Sequence, residues 1–284
     1  MNPFVISADS GADLPKEYCL THEIPILPLP VTMNGTVHTD IEVKEFYRQL
    51  RAGALPTTSA ANLEDTATLF RTYLSQGRDL LHIAFSSGLS SSAGTAFLAA
   101  EQVRSEFPDR TLIVVDSLCA SLGHGLLVHK AVKARDAGKS IQETADYIES
   151  IKMNIVHNFT VDDLNHLHRG GRVSKATAVV GTLINIKPVL HVDDEGHLTS
   201  VGKARGRKAS IQALANRMAQ QIPGFENPEV FISHGDCPED AKYLEGLIRE
   251  RFGIDNIMTG YIGPTIGTHS GPGTLALFFL GAPR

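Results

Sequence analysis

Three short stretches of the 284-residue chain concentrate hydroxyl and glycine residues: Pro56-Thr57-Thr58-Ser59, Ser86-Ser87-Gly88-Leu89-Ser90-Ser91-Ser92 and Asp116-Ser117-Leu118-Cys119-Ala120-Ser121. The second and third follow apolar strand-like runs and precede helical ones. Junctions of that kind present free backbone N–H groups and the positive end of a helix field, so they attract anions. Their hydroxyls can donate to a carboxylate or a phosphate. Helix capping accounts for most such serines taken singly. The Ser86–Ser92 run lacks the GxSxG of a nucleophile elbow and the GxxxxGK[ST] of a phosphate loop. Its nearest histidine, His82, sits inside the preceding strand, so a covalent serine mechanism has little support.

A second group of candidates lies nearer the C-terminus. Residues Ile262 to Gly273 hold four glycines and two prolines, a composition that specifies a particular backbone path in place of a helix or regular strand. His269 stands in its middle, able to donate to an anion or to become charged near pH 6–7. Basic residues gather in the same half: Arg169, Arg172, Lys175, Lys187, Lys203, Arg205, Arg207 and Lys208. Arg207 and Lys208 read as a solvated face. Gly170-Gly171 forms a turn that can aim Arg172 across a cleft at an anion, and Arg205 is likewise placed by a glycine-containing segment; a solvated positive face stays open for both. His166 and His168, two residues apart on a helix, point to different faces and make a poor metal pair. With no HExxH and no CxxC, no metal site is expected.

These groups must be positioned by elements that the spacing of apolar residues predicts. Phe4–Ile6, Leu80–Phe85 and Thr111–Val115 read as buried strands, and Ile24–Val31, broken by three prolines, as an edge or irregular strand. Helical spacing covers 43–52, 63–76 and 92–107, and helices follow Asp116-Ser117 up to about Met153. Strands alternating with helices imply parallel βαβ units, with functional loops at the strand C-terminal ends. After about His157 the pattern changes. Pro188–Val192 and His197–Lys203 flank an Asp-Asp-Glu-Gly turn and predict a hairpin. A helix over 207–221, a strand over 230–234, a helix over 238–251 and two final apolar segments follow. The expected fold class is α/β with two domains: an N-terminal parallel-sheet domain over 1–156 and a C-terminal α+β domain over 157–284.

Composition narrows the function. The net charge of −5 argues against a dedicated nucleic-acid binder. The three scattered cysteines make no disulfide framework. No apolar run reaches the ~18–20 residues of a membrane span, and the first residues carry no secretory signal. A cytoplasmic protein with no stable membrane insertion is expected.

Six segments taken in order resemble the DegV family of bacterial fatty-acid-binding proteins: ISADSGADLP, TTS at 57–59, SSGLSSS, VVDSLCASLGHG, LHRGGRVSKATAVVGTLINIKPVLHVDDEG with KARGRK after it, and IGPTIGTHSGPGTLALFFLG. The resemblance runs from Val5 to about Gly281. It implies a long apolar tunnel at the domain junction, with a long-chain fatty acid inside and its carboxylate near the surface. By position, Thr58, Ser90 and His269 match the groups on the carboxylate. Arg172 matches an arginine near the head group or the partner contact, and Arg205 and Ser91 are further candidates for such contacts. The resemblance also implies a partner, the catalytic subunit of a fatty acid kinase, which would phosphorylate the bound carboxylate with ATP for use in phospholipid synthesis. The chain itself then needs no cofactor. Ser91 stands where family members often carry glycine, so strain is expected if the backbone there requires φ > 0. Ala60-Ala61 likewise replaces a common Gln-Pro. Two other readings remain open at this level: an enzyme using Ser90 with His269, or His269 as phosphoryl acceptor; and a lipid-sensing regulatory protein.

Overall fold

The computed structural model describes residues 4–174 and 185–282. Lys175 and the segment up to Ile184 lie outside them. The first strands, β1 (Val5–Asp9) and β2 (Ile26–Leu27), join β6 (Leu80–Ala84) and β7 (Leu112–Asp116) in an all-parallel sheet of order β2-β1-β6-β7. Their residues are almost all buried, as strands covered on both faces require. On one face lie α3 (Leu63–Leu74) and α4 (Ser92–Arg104), which bury Ala67, Phe70, Ala96 and Ala100 against Val5, Leu80 and Leu112. On the other lie α5 (Ser121–Asp136) and α6 (Ile141–Ile151), the latter opened by a Ser140/Glu143 capping box.

A small antiparallel sheet stands beside these layers, formed by β3 (Val31–Met33), β4 (Thr36–His38) and β5 (Thr57–Thr58) in the order β4-β3-β5. Helix α2 (Val43–Arg51) seals it with Phe46, Tyr47 and Leu50. The stretch that reads as an irregular strand, Ile24–Val31, is therefore divided between two sheets, and the hydroxyl segment at 57–59 is fixed by strand pairing in place of a free loop.

The second large sheet is mixed. It contains β8 (Ile155–Thr160), β9 (Ile186–Val192), β10 (Leu198–Arg205), β11 (Val230–His234), β12 (Ile257–Tyr261) and β13 (Leu275–Leu280), in the order β10-β9-β8-β13-β11-β12. Only the β11–β12 pair is parallel. The division expected between residues 156 and 157 falls inside β8; the six-stranded sheet begins at Ile155. Two amphipathic helices, α8 (Arg207–Gln221) and α9 (Pro238–Phe252), cover its outer face.

Its inner face rests on α5, which is apolar around most of its circumference and buries twelve of its sixteen residues. One continuous cluster links Ile6, Ile83 and Val115 of the parallel sheet, Leu122, Leu126 and Ala131 of α5, and Ile155, Phe231 and Phe278 of the mixed sheet. The approach is close enough that a Cβ on Gly123 would stand 2.2 Å from Nε2 of His157.

The glycine- and proline-rich segment near the C-terminus departs from its expected irregular path. Residues Pro264–Ser270 form a helix, which follows the short α7 (Asn165–Arg169) and the two outer helices as α10. The reason is positional. Pro264 occupies the first turn, where its missing N–H costs nothing. Gly271, at φ 76°, ends the helix. Gly267 is required inside the helix because a Cβ there would lie 2.7 Å from the Phe46 ring and 2.7 Å from the Tyr47 hydroxyl oxygen.

Candidate ligand-binding site

Between the loops at the C-terminal ends of β6 and β7, the small sheet and the inner face of the mixed sheet lies a cavity. Its empty space, counting the part open to solvent, is about 960 Å³. Its wall is mostly apolar, built from residues such as Phe85, Leu89, Phe159, Val192, Ala276 and Phe278. Register explains part of it: Phe159 pairs with Ala276 and His157 with Phe278 across β8 and β13, so alternate residues of both strands face inward.

Its polar lining is of two kinds: Thr58, Ser90, Arg172 and His269 are half-buried, whereas Ser121, His157, Ser270 and Thr274 are buried. Thr58 and His269 belong to different layers, yet Oγ1 of the first lies 2.7 Å from Nε2 of the second. Pairing of Thr58 with Val31 fixes one, and α10 carries the other. Gly170, at the end of α7, leaves room for the imidazole, since a Cβ there would meet Nδ1 at 2.1 Å. Burial, and then the positive charge of Arg172, lower the His269 pKa to about 4, so the ring is neutral at pH 7. Among the described residues no carboxylate is paired with it.

Ser90 lies at the end of a short hydrogen-bond chain. The Ala61 amide donates to Ser92 Oγ at 3.1 Å. Ser92 Oγ and Ser90 Oγ are 2.9 Å apart, and the Ser92 amide donates to Ser90 Oγ at 3.2 Å. When Ser92 donates along this chain, Ser90 accepts twice and keeps its own proton for a ligand. Arg172 reaches the same loop from the other side, donating from Nε and Nη2 to the Leu89 carbonyl at 3.2 and 2.9 Å. It lines the cavity and braces the loop at once.

The loop is also clamped by the turn between β9 and β10. Ser86 Oγ donates to the Gly196 carbonyl at 3.0 Å, and a Cβ on Gly88 would stand 2.5 Å from the Glu195 carbonyl oxygen. Ser91 lines the cavity, but its φ of −75° is ordinary for serine, so the strain expected from its replacing a glycine is absent. Arg205 is exposed at the end of β10 and is not among the cavity-lining residues. Nor are Ser90 and His269 bonded to each other: each takes a different hydroxyl partner.

Sequence reasoning overlooked three lining groups: His157, Thr274 and Ser270. His157 hides in an apolar strand. It accepts from the Ala120 amide at 3.1 Å through Nε2, and Nδ1 lies 2.9 Å from the Ile155 carbonyl. No spacing rule marks such a residue. Ser270 was next to a chosen candidate, and only the existence of α10 shows that its side chain is buried.

Comparison with known proteins bears on the family and the fold. The model of the family described as "Uncharacterised protein, DegV family" matches residues 3–282. A DegV domain-containing protein of Clostridium perfringens is 41% identical over 99% of this chain and 98% of its own. One from Lactococcus lactis is 38% identical over 97% and 96%. Among solved structures, a DegV family protein from Thermus thermophilus described by its fatty acid binding superposes with a TM-score of 0.87 at 29% identity, covering 99% of this chain and all of that one. A DegV lipid-binding protein from Thermotoga maritima gives 0.88 at 28%, with both chains fully covered. DegV from Bacillus subtilis, described as a fatty acid binding protein, gives 0.84 at 28%, covering 99% and 100%.

Proposed function

Since the chain belongs to the DegV family, we propose that it binds a long-chain fatty acid in the cavity, with the carboxylate held by Thr58, Ser90 and His269. The observation that carries this reading is the division of one pocket into an apolar wall and a cluster of neutral donors. Burying ~14 methylenes at about 0.8 kcal/mol each offers on the order of 11 kcal/mol before ordering costs. The wall then supplies most of the affinity. The hydroxyls need only fix the carboxylate, through charge-assisted bonds of roughly 1.5–3 kcal/mol each. The Thr58–His269 pair has one proton left to give: with the neutral ring donating from Nε2 to Thr58 Oγ1, the threonine hydroxyl keeps its own for the carboxylate. A bound carboxylate would raise the His269 pKa and strengthen the contact.

The same arrangement supports a carrier in preference to a hydrolase. Ser90 has no base within its hydrogen-bond chain, and His269 has no paired acid to orient it. Holding the carboxylate by hydroxyls, without a tight ion pair, leaves it open to reaction with an external group. We therefore assign the activating step, ATP-dependent formation of the acyl phosphate, to a separate kinase subunit that docks over the half-buried polar residues of the cavity. No helix among the described residues is long and apolar enough to cross a membrane.

Mass spectrometry of the purified protein, native and then after denaturing organic extraction, tests the reading. Stoichiometric fatty acid released from the folded protein is expected. Folded protein that is empty and takes up neither added palmitate nor added oleate refutes it.

A further inference from the structure

A second cleft lies beside the lipid cavity. Its empty space, counting the part open to solvent, is about 1710 Å³. The turn after β1, the start of β3 and the edge strand β12 border it, through residues such as Ser10, Leu14, Val31 and Tyr261. Among the described residues, only Leu29 and Thr265 line both the cleft and the cavity. At that point the wall between them is one residue thick. Leu29 stands between β2 and β3, outside any strand, with a proline on each side. Two side chains hold its backbone: its amide donates to Ser10 Oγ at 2.9 Å, and its carbonyl accepts from Thr265 Oγ1 at 3.1 Å. Leu29 is 4% exposed and belongs to one apolar cluster with Phe85, Ala120, Leu89 and Ile266, all of which line the cavity.

Its place along the ligand follows from the segments it joins, given the fatty-acid reading on which this inference rests. The Ser59 amide donates to the Pro30 carbonyl at 3.0 Å, and Thr58 pairs with Val31. On the other side Leu89, in the same cluster, directly precedes Ser90. Leu29 is therefore flanked by the two segments that carry Thr58 and Ser90. With a carboxylate on those hydroxyls, the first carbons of the acyl chain pass Leu29. A straight chain presents only hydrogens there. An alkyl branch on the α-carbon would press on the leucine, and the space able to take it lies on the far side of that residue, where Ile26, Pro28 and Val31 supply apolar lining. We propose that Leu29 is a specificity-determining residue that closes the lipid cavity against the cleft beside the carboxylate, so that the cavity takes straight-chain fatty acids and refuses those with an alkyl branch on the α-carbon.

The test is competition between palmitate and racemic 2-hexylhexadecanoate, which is palmitate with a hexyl branch on its α-carbon, read by native mass spectrometry on protein stripped of lipid. The branch adds apolar surface, which by itself favours binding, so a refusal is steric. Wild type is expected to prefer palmitate by at least about tenfold, since a branch forced against a packed wall overfills it. Leu29→Ala is expected to shift the ratio towards the branched acid by about tenfold, and Leu29→Val, a milder truncation, by about threefold. Leu198→Ala removes the same atoms from a residue that lines the cavity but not the cleft, and is expected to keep the wild-type ratio. The proposal is overturned if wild type takes the branched acid as readily as palmitate, if the folded Leu29 variants keep the wild-type ratio, or if Leu198→Ala gains as much as they do. Failure of wild type to bind either acid refutes the fatty-acid reading itself, and this inference with it.

Discussion

The contact between the Ser86–Ser92 loop and the β9–β10 turn can be broken with a single methyl group. In Gly88→Ala the new Cβ would stand 2.5 Å from the Glu195 carbonyl oxygen and 2.7 Å from the carbonyl carbon and oxygen of Gly196. Ordinary contact needs about 3.4 Å or more, so loop and turn must part by close to an ångström. All three atoms are backbone and cannot swing aside as a side-chain tip does. Overpacking of this kind costs about 1–3 kcal/mol. Loss of the Ser86–Gly196 hydrogen bond adds about 1 kcal/mol. The total, about 2–4 kcal/mol, corresponds to a fall in Tm of roughly 3–7 °C for a chain of this length. Because the loop carries Ser90, affinity for palmitate should fall as well, by about tenfold if one charge-assisted bond is misaligned. Differential scanning calorimetry and a lipid-binding titration measure the two effects. Gly94→Ala is the control: it lies in α4 with nothing within 4 Å of its Cβ, and should leave stability unchanged or raise it by up to about 1 kcal/mol. A Gly88→Ala protein with unchanged Tm and unchanged palmitate affinity would falsify the seating of turn on loop.

Two further outcomes are expected. Glu229, 4% exposed, takes Lys130 at 2.7 Å, Lys133 at 3.0 Å and His129 at 3.2 Å. These partners hold its carboxyl well below the usual carboxylate range. Its contribution is therefore present above the ordinary carboxylate pKa and lost as pH falls through the lowered one. Glu229→Gln strands the buried Lys130 and should cost about 3–5 kcal/mol in chemical denaturation at pH 7; a loss under 1 kcal/mol contradicts the pairing. Asp13 behaves in the opposite sense. Burial raises its pKa from 3.8 to about 7, against the opposing bond from Ser121 Oγ at 2.6 Å. The folded state then holds a proton that the unfolded state has released, so stability falls as pH rises from about 4 to about 7. Asp13→Asn, tolerable at the φ of 53° found there, should flatten that slope in denaturation curves taken across the range. A slope unchanged by the substitution would assign the dependence to another group.

The parallel strands, the hairpin and most helices are legible in the sequence because each rests on local periodicity. The hydroxyl loops are legible for the same reason: they lie between a strand and a helix that are themselves plain. What escapes is set by partners distant in sequence. The Thr58–His269 contact joins residues 211 positions apart, and only the family resemblance links them beforehand. The α10 helix was hidden by the glycines in and around it, which read locally as breakers; the one inside it, Gly267, answers to packing against Phe46 and Tyr47. Arg172 could be seen as a cation near a turn. That it spends its donors on the Leu89 carbonyl depends on where α7 meets the loop. Arg205 had the same local signature and ended exposed, because one flanking glycine does not say which way a strand end faces.

The single core around α5 also limits how this protein can be taken apart. Cutting the chain just before Ile155 would open to water the face of α5 at Leu122 and Gly123, which meets Gly260, His157 and Phe278 of the mixed sheet. The other fragment would carry Phe231 and Phe278 as an uncovered sheet face, a surface prone to aggregation. The two halves differ in architecture yet share one interior. A recombinant fragment, a split reporter or a shuffled chimera would therefore have to keep α5 together with both sheets.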